Sequence, residues 1–263
     1  MNIQISVLMT AFNAEKFISD SINSILNQYF KNFELIVIDD CSIDNTYSII
    51  KNFQDKRIKY FKLKTKLGRT KALNYGLKKC NSNLIAIQDA DDVSYSIRLE
   101  ETFKKFNSDK NIGLVCGNYE LIDSFGNSLQ KKIKFIEEKK LLSTIKYINQ
   151  IAHSSITFNR DYLNNQKKFV YDESYIYAQD YDLILKFLKN SNISLINENL
   201  VKIRVHNENM SNNRIYKKTK IIEYLRLLDF TEKNLKNNFK EHLLIKYFKL
   251  KNNLKLVFNY LGM

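Results

Sequence analysis

Three carboxylates follow a short apolar run in the first half of the chain. The run is Ile85-Ala86-Ile87, and Asp89, Asp91 and Asp92 lie within five residues of its end. Such a run is typical of a buried strand in a parallel sheet, where ligands bind at the carboxyl ends of the strands. We therefore expect the carboxylates to lie close together at the mouth of a cleft, facing solvent. A divalent cation would relieve their repulsion, and oxygen ligands favour Mg²⁺ or Mn²⁺, which would also hold substrate phosphates.

Two other apolar runs end in polar clusters of the same kind. The run Ile3 to Met9 ends at the cluster Thr10 to Asn13, and the run Phe33 to Ile38 ends at Asp39-Asp40. Helical spacing follows each run, and this alternation predicts an α/β fold with a mostly parallel central sheet and helices on both faces. The three polar clusters should then meet at one edge of the sheet. Asn13 is also predicted to cap the first helix.

The composition limits which classes of protein remain. The 263 residues carry a net charge of +14, which favours a polyanionic partner such as nucleic acid, anionic lipid or a phosphorylated substrate. No apolar run is long enough to cross a membrane, and the three cysteines are isolated, as is usual for reduced thiols in intracellular proteins. Because no Gly-x-Gly-x-x-Gly follows the first strand and no Gly-x-x-x-x-Gly-Lys occurs, dinucleotide-dependent redox chemistry and P-loop hydrolysis lose most of their support.

The second half of the chain is less regular. Asp180 lies in the first turn of a predicted helix, where an acid can simply interact with the helix dipole, and His206 ends a short strand-like run. From Arg214 to the end of the chain there are twelve Lys/Arg and only four Asp/Glu, in a pattern that is helical from Ile221 onward. An apolar stripe runs along the last predicted helix, through Leu243, Tyr247, Leu250, Leu254, Val257 and Leu261. Such a stripe needs to be covered, by the rest of the chain, by a second copy or by an anionic membrane.

Several short motifs, taken in order, resemble one known family. They are Ser6 to Asn13, Phe33 to Thr46, Gly68-Arg69, Asp89 to Asp92, Arg98 to Glu100, Gln179 to Leu183 and Arg204 to His206. These motifs resemble the inverting glycosyltransferases of family 2, which have the GT-A fold, over roughly the first four-fifths of the chain. Cys41 departs from the pattern, since it stands where the family usually has glycine.

The resemblance implies a role for each candidate residue. The nucleotide-binding residues would be Thr10, Phe12, Asn13, Asp40, Arg69 and Asp89. Asp40 would accept a hydrogen bond from uracil, which favours a UDP-sugar as donor. Asp91, with His206 close by, would bind Mn²⁺ or Mg²⁺, and Asp180 would be the catalytic base.

The resemblance also implies a reaction and an architecture. An acceptor hydroxyl of a glycan or lipid-linked glycan would displace the nucleotide from a hexosyl donor, as in the synthesis of bacterial surface polysaccharide or lipooligosaccharide. The GT-A domain would span residues 1–213, with a nucleotide-binding half at 1–118 and an acceptor half at 119–213. Residues 214–263 lie outside the resemblance, and their own pattern predicts a basic, amphipathic helical tail. We expect this tail to hold a cytoplasmic enzyme at the inner face of the cell membrane, or else to form a homodimer.

Two other functions compete with this interpretation. A nucleotidyltransferase also holds nucleotide phosphates with paired carboxylates and magnesium, but it would leave a nucleotide-linked product. A non-enzymatic nucleic-acid-binding protein would account for the positive charge. The basic runs, however, lack a recognisable recognition module, so we expect no nucleic-acid partner.

Overall fold

A computed structural model of the chain describes residues 3–129, 136–163, 170–207, 209 and 217–260, with side chains up to residue 256. The strands are β1 (Ile5–Ala11), β2 (Phe33–Asp39), β3 (Ile58–Lys62), β4 (Leu84–Asp89), β5 (Val93–Ser94), β6 (Ile112–Ile122), β7 (Thr157–Asn159) and β8 (Asn192–Arg204). The α-helices are α1 (Ile18–Leu26), α2 (Thr46–Lys51), α3 (Arg69–Leu77), α4 (Arg98–Ser108), α5 (Glu138–Thr144), α6 (Gln179–Asn190), α7 (Lys217–Asn234) and α8 (Phe239–Tyr260).

The eight strands of the described residues form one sheet, in the order β3-β2-β1-β4-β7-β6-β8-β5. The pairs formed by β1 with β2 and β4, by β2 with β3, and by β6 with β8 are parallel. The remaining pairs are antiparallel. They join the short strand β7 to its neighbours β4 and β6, and join β5, at the far edge, to β8. The predicted α/β class with a mostly parallel sheet is confirmed, and the parallel half carries the polar strand ends.

Helices cover both faces of the parallel half, as alternation along β1 requires. Val7 packs in an apolar cluster with Ile22 of α1, whereas Leu8 packs on the opposite face in a cluster with Leu73 of α3. A Cβ on Gly76 would lie only 2.3 Å from a methyl carbon of Leu8, so glycine lets α3 lie directly against the sheet. This close packing places the beginning of α3 at the edge where the parallel strands end.

The helices α7 and α8 pack against each other, and we call them the C-terminal hairpin. Leu227 of α7 is fully buried in a cluster with Tyr181 of α6, and Ile245 of α8 is fully buried beside Tyr147. The outer face of α8 is different, because the stripe residues Leu243, Tyr247, Leu250 and Leu254 are 49–63% exposed. The Val257 side chain, Leu261 and the proposed boundary at 213/214 lie outside the described residues. Within the described chain, no helix is long and apolar enough to cross a membrane.

Candidate active site

The three polar strand ends meet at one edge of the sheet, as the sequence predicted. In the parallel register, Thr10 at the end of β1 lies opposite Asp89 of β4. On the other side, Ala11 lies opposite Asp39 of β2. The backbone N–H of Asp40 donates to the carbonyl of Ala11, which extends the contact beyond the strand end. The expected convergence is therefore present in the backbone itself.

Asn13 joins two loops and does not cap α1, so that prediction was wrong. Its backbone has a φ of 49°, a left-handed conformation that asparagine tolerates, and α1 begins only at Ile18. The Asn13 N–H donates to Ser42 Oγ at 2.9 Å, and its side-chain oxygen accepts from the Ile43 N–H at 3.1 Å. Cys41, in the second loop, has a φ of 67°, a left-handed conformation that glycine adopts more readily than cysteine.

Phe12 and Asp40 lie at the beginning of these two loops, next to Asn13 and Cys41. Phe12 is 40% exposed, and the Lys66 ammonium lies 3.4 Å from the centre of its ring. Asp40 is buried, and its two carboxylate oxygens accept from the N–H groups of Leu67 at 2.7 Å and Gly68 at 2.8 Å. Asp40 therefore fixes the turn that leads into α3, whose first residue is Arg69.

Arg69 connects the strand ends to a buried histidine. Its Nη2 donates to Asp89 Oδ1 at 2.5 Å and to His153 Nδ1 at 2.7 Å. Burial, together with the charge of Arg69, lowers the pKa of His153 to about 3, so this ring is neutral and can accept through Nδ1. Burial would raise the pKa of Asp89, but the adjacent Arg69, together with His153 and Ser154, holds that pKa below its usual value.

The three carboxylates of the acidic cluster lie close together, but only two of them face solvent. Oxygens of Asp89, Asp91 and Asp92 lie within 4.8 Å of one another. The expectation that all three face solvent was wrong, because Asp92 is only 4% exposed and accepts from Ser154 Oγ and from the Arg204 N–H. Burial and the nearby charges of Asp91 and Asp89 raise its pKa well above the usual value. Asp92 thus links the loop after β4 to the end of β8. Asp89 and Asp91 stay partly exposed to solvent.

His206 lies beside Asp91, although 115 residues separate them in the chain. Its Nε2 is 3.0 Å from Asp91 Oδ2, and Asn209 Nδ2 donates to the same oxygen at 3.2 Å. The ring of Phe17 packs on the His206 ring with 4.7 Å between centroids. Strand β8 ends at Arg204, so the end of this strand carries His206 to the acidic cluster.

Asp180 lies in the first turn of α6, which begins at Gln179. One carboxylate oxygen accepts from the Tyr181 N–H at 2.8 Å, and the other accepts from Asn149 Nδ2 at 3.1 Å. Burial raises the pKa of Asp180, and the charges of Arg69 and Asp89 both act on it, which places the three groups in one electrostatic environment. A carboxylate with a raised pKa near a charged cluster is suited to accept a proton.

Comparison with known proteins decides which family these features represent. The sequence profile described as Glycosyl transferase family 2 matches residues 6–168, more than half of the chain. This chain belongs to glycosyl transferase family 2. It is therefore an enzyme of glycosyltransferase type, as the sequence predicted.

Curated relatives of the family 2 enzyme are similar over most of its length. An uncharacterized glycosyltransferase of Methanocaldococcus jannaschii is 35% identical over 232 residues, which are 85% of this chain and 78% of the relative. The UDP-Glc:α-D-GlcNAc-diphosphoundecaprenol β-1,3-glucosyltransferase WfgD of Escherichia coli is 33% identical over 213 residues, or 80% of each protein.

Solved structures confirm the GT-A fold of this family 2 enzyme. TarS of S. aureus, in complex with UDP-GlcNAc, superposes with a TM-score of 0.72 at 20% identity, covering 98% of this chain and 73% of TarS. The mannosyltransferase PcManGT of Pyrobaculum calidifontis, with GDP-Man and Mn²⁺, gives 0.68 at 16% identity, covering 96% and 72%. The roles of all the candidate site residues stay predictions, and the profile match ends before Asp180 and His206.

Some residues that shape the site were not given a role from the sequence. Nothing in the sequence pattern indicated the contributions of His153, Asn149 and Asn209. The same holds for Glu223, which binds the segment before α6. All four act through contacts between residues far apart in the chain, and spacing along the sequence does not reveal such contacts.

Proposed function

We propose that this enzyme is an inverting glycosyltransferase that moves a hexosyl group from a UDP-sugar to a hydroxyl of a lipid-linked glycan. The observation that carries the proposal is the position of Asp180, a partly buried carboxylate in the first turn of α6 that accepts from Asn149 and from the Tyr181 N–H, and whose pKa is raised. The relative WfgD, at 33% identity, supports both the UDP donor and the diphosphoundecaprenol-linked acceptor by its name.

The nucleotide lies, in this proposal, along the edge formed by the three strand ends. The binding residues are Thr10, Phe12, Asn13, Asp40, Arg69 and Asp89. Asp40 already accepts two backbone N–H groups, but each carboxylate oxygen has a second lone pair, so it can also accept from the uracil ring. The exposed face of Phe12 is available for stacking, and Asp89, kept ionised by Arg69, can accept from a ribose hydroxyl.

Asp91 and His206 fit a divalent metal, and Asp91 is the main ligand in our proposal. Carboxylate oxygens suit Mg²⁺ and Mn²⁺, and Asp92 is already committed to Ser154 and Arg204. The relative PcManGT supports Mn²⁺ through its complex. When bound, such an ion stabilises the negative charge of a departing diphosphate.

The reaction needs one base on the acceptor side of the sugar. Asp180 accepts the proton of the attacking hydroxyl, and its raised pKa makes it a stronger base than an exposed aspartate. Asn149 donates to one of its oxygens and thereby fixes the direction of the carboxylate. A single attack from the face opposite the nucleotide inverts the configuration at the anomeric carbon.

The outer face of α8 docks, we propose, on an anionic membrane that carries the lipid-linked acceptor. The exposed stripe residues are flanked by the exposed lysines Lys240, Lys246, Lys251 and Lys255. Each lysine near an anionic surface contributes about 1 kcal/mol, and the apolar stripe adds burial that salt does not screen. Flotation with phosphatidylglycerol vesicles at low and high salt measures this binding, and a dimer in solution that covers the stripe would contradict it.

The catalytic proposal is tested with UDP-glucose, UDP-galactose, UDP-GlcNAc and UDP-GalNAc, in Mn²⁺, with a GlcNAc-diphosphoryl-lipid acceptor. We expect release of UDP and an inverted product, identified by mass and by NMR of the anomeric proton. Asp180→Asn should lower kcat at least about a hundredfold with UDP affinity unchanged. Asp182→Asn is the matched control, because this carboxylate of the same turn pairs with Lys186 at 2.6 Å. A retained configuration, no turnover with any donor, or an active Asp180→Asn enzyme would refute the proposal.

A further inference from the structure

A buried carboxylate in the C-terminal hairpin binds the chain just before the proposed base. Glu223 of α7 is only 3% exposed. One of its oxygens accepts from the Ile176 N–H at 2.8 Å, and the other accepts from the N–H groups of Tyr177 and Ala178, both at 2.9 Å. Three consecutive backbone donors therefore converge on one side chain that lies about 45 residues away in the chain.

These three residues set the beginning of α6. Ala178 is the N-cap residue of that helix and has no side-chain oxygen to accept from the first turn. Glu223 supplies a carboxylate from outside the helix, close to its positive end, and holds the backbone that leads into Gln179 and Asp180. The direction in which Asp180 leaves the helix start thus depends on a contact made by the hairpin.

The hairpin also holds the second support of Asp180. The Tyr224 hydroxyl donates to the carbonyl of Tyr147, and the Tyr147 ring stacks on Phe248 of α8 with 5.6 Å between centroids. Asn149, two residues after Tyr147, is the residue that donates to Asp180. Both segments that fix the Asp180 carboxylate are therefore packed against α7 or α8.

We infer that the C-terminal hairpin positions the base, and that Glu223 is the positioning residue. This inference rests on the proposed role of Asp180 as base, and it adds that the hairpin, which begins after the family profile ends at residue 168, is part of the catalytic apparatus. Glu223 does not touch the reacting atoms. It acts through the backbone of residues 176–178, whose N–H groups it binds.

Glutamine is the informative replacement at this position. Glu223→Gln keeps the size of the side chain but replaces one of the two accepting oxygens by an NH₂ group that faces N–H donors. Glu232→Gln is the matched control, because Glu232 lies in the same helix and binds Lys249 on α8. Glu223→Asp restores the charge on a shorter side chain and tests for partial rescue.

The first measurement is amide hydrogen exchange of the peptide that contains residues 176–180, which needs no substrate. In Glu223→Gln we expect these amides to exchange about ten- to a hundredfold faster than in Glu232→Gln, since hydrogen bonds to a charged acceptor are lost. Glu223→Asp should lie between the two. Equal exchange in Glu223→Gln and Glu232→Gln would overturn the inference, whatever the enzyme does with any donor.

The second measurement separates positioning from a merely structural role. With the donor that turns over, kcat of Glu223→Gln should fall at least about tenfold, while the KM for the donor and the stoichiometry of UDP binding stay as in Glu232→Gln. A loss of UDP-binding stoichiometry in proportion to kcat would mean unfolded protein and would overturn the positioning role. Asp180→Asn in the same assay distinguishes the two hypotheses. If it is inactive while Glu223→Gln equals the control, only the inference fails; if it is active, the proposed function fails.

Discussion

The two faces of the C-terminal hairpin should respond in opposite ways to the same substitution. Leu227, on the inner face, is fully buried against Tyr175 and Tyr181, whereas Leu250, on the outer face, is 63% exposed. Replacing each leucine by alanine removes the same atoms from two different environments. The comparison therefore tests whether the hairpin belongs to the fold and also presents a docking surface.

The magnitudes follow from the two exposures. A fully buried leucine cut to alanine costs about 2–5 kcal/mol of unfolding free energy, whereas an exposed one costs less than about 0.5 kcal/mol. We therefore expect Leu227→Ala to lower Tm by at least about 4 °C and Leu250→Ala to leave it almost unchanged. On a membrane, Leu250→Ala loses about 1 kcal/mol of apolar burial, which is about a fivefold weaker partition.

The assays are urea unfolding followed by circular dichroism, and flotation with phosphatidylglycerol vesicles at low salt. The expected result is that Leu227→Ala loses stability and, measured well below its Tm, keeps vesicle binding, whereas Leu250→Ala does the reverse. If the two variants lose equal stability, the outer face is buried in solution and a second copy of the chain covers it. If neither variant changes vesicle binding, the membrane proposal is refuted.

Three further predictions concern the site. For the metal, chelation of divalent ions should abolish turnover, and Mn²⁺ or Mg²⁺ should restore it. Asp91→Asn should stay at least about a hundredfold slower in added metal, because an amide is a poorer ligand than a carboxylate. Full activity in chelator would exclude a metal from the reaction. For pH, burial raises the pKa of Asp180, so kcat should fall as the pH decreases through a pKa above that of an ordinary aspartate. If kcat instead falls only at or below the ordinary aspartate pKa, Asp180 is not the titrating base. For the backbone, Cys41→Gly should raise the free energy of unfolding in urea by up to about 1 kcal/mol, because the left-handed φ of 67° is unfavourable for cysteine. A loss of stability would mean that the Cys41 side chain contributes packing.

The sequence predicted the parallel half of the fold because its signals are local. An apolar run that ends in a polar cluster identifies a strand and its end, and the parallel register then brings Thr10 next to Asp89 without any long-range information. The left-handed conformation of Cys41 agrees with the glycine that the family resemblance implies at that position. Asn13 was misinterpreted because asparagine favours both helix caps and left-handed turns, and the pattern alone does not separate them.

The sequence could not predict which carboxylate faces the cleft. Asp91 and Asp92 are neighbours of the same type. They differ because β8 packs next to them: the Arg204 N–H of β8 donates to Asp92, which is buried, whereas Asp91 lies beside His206. Strand β7 was also missed, because three residues are too short for a periodic signal. The support of Asp180 by Glu223 through the segment 176–178 joins positions that no repeat or motif relates.

The surroundings of Asp89 and Asp180 assign them different chemistry, although both are aspartates near the same arginine. Arg69 lies 2.5 Å from Asp89 and, with His153 and Ser154, lowers the Asp89 pKa in spite of burial, so Asp89 stays ionised and acts as a fixed acceptor. Asp180 feels the same positive charge less strongly, and burial raises its pKa, so its carboxylate has the greater affinity for a proton. Where two environments move the pKa values of like groups apart, the group with the raised pKa is the one suited to exchange a proton with substrate. This argument favours Asp180 over Asp89 as the proposed base, and it requires that the hairpin keep the surroundings of Asp180 in place while the donor is bound.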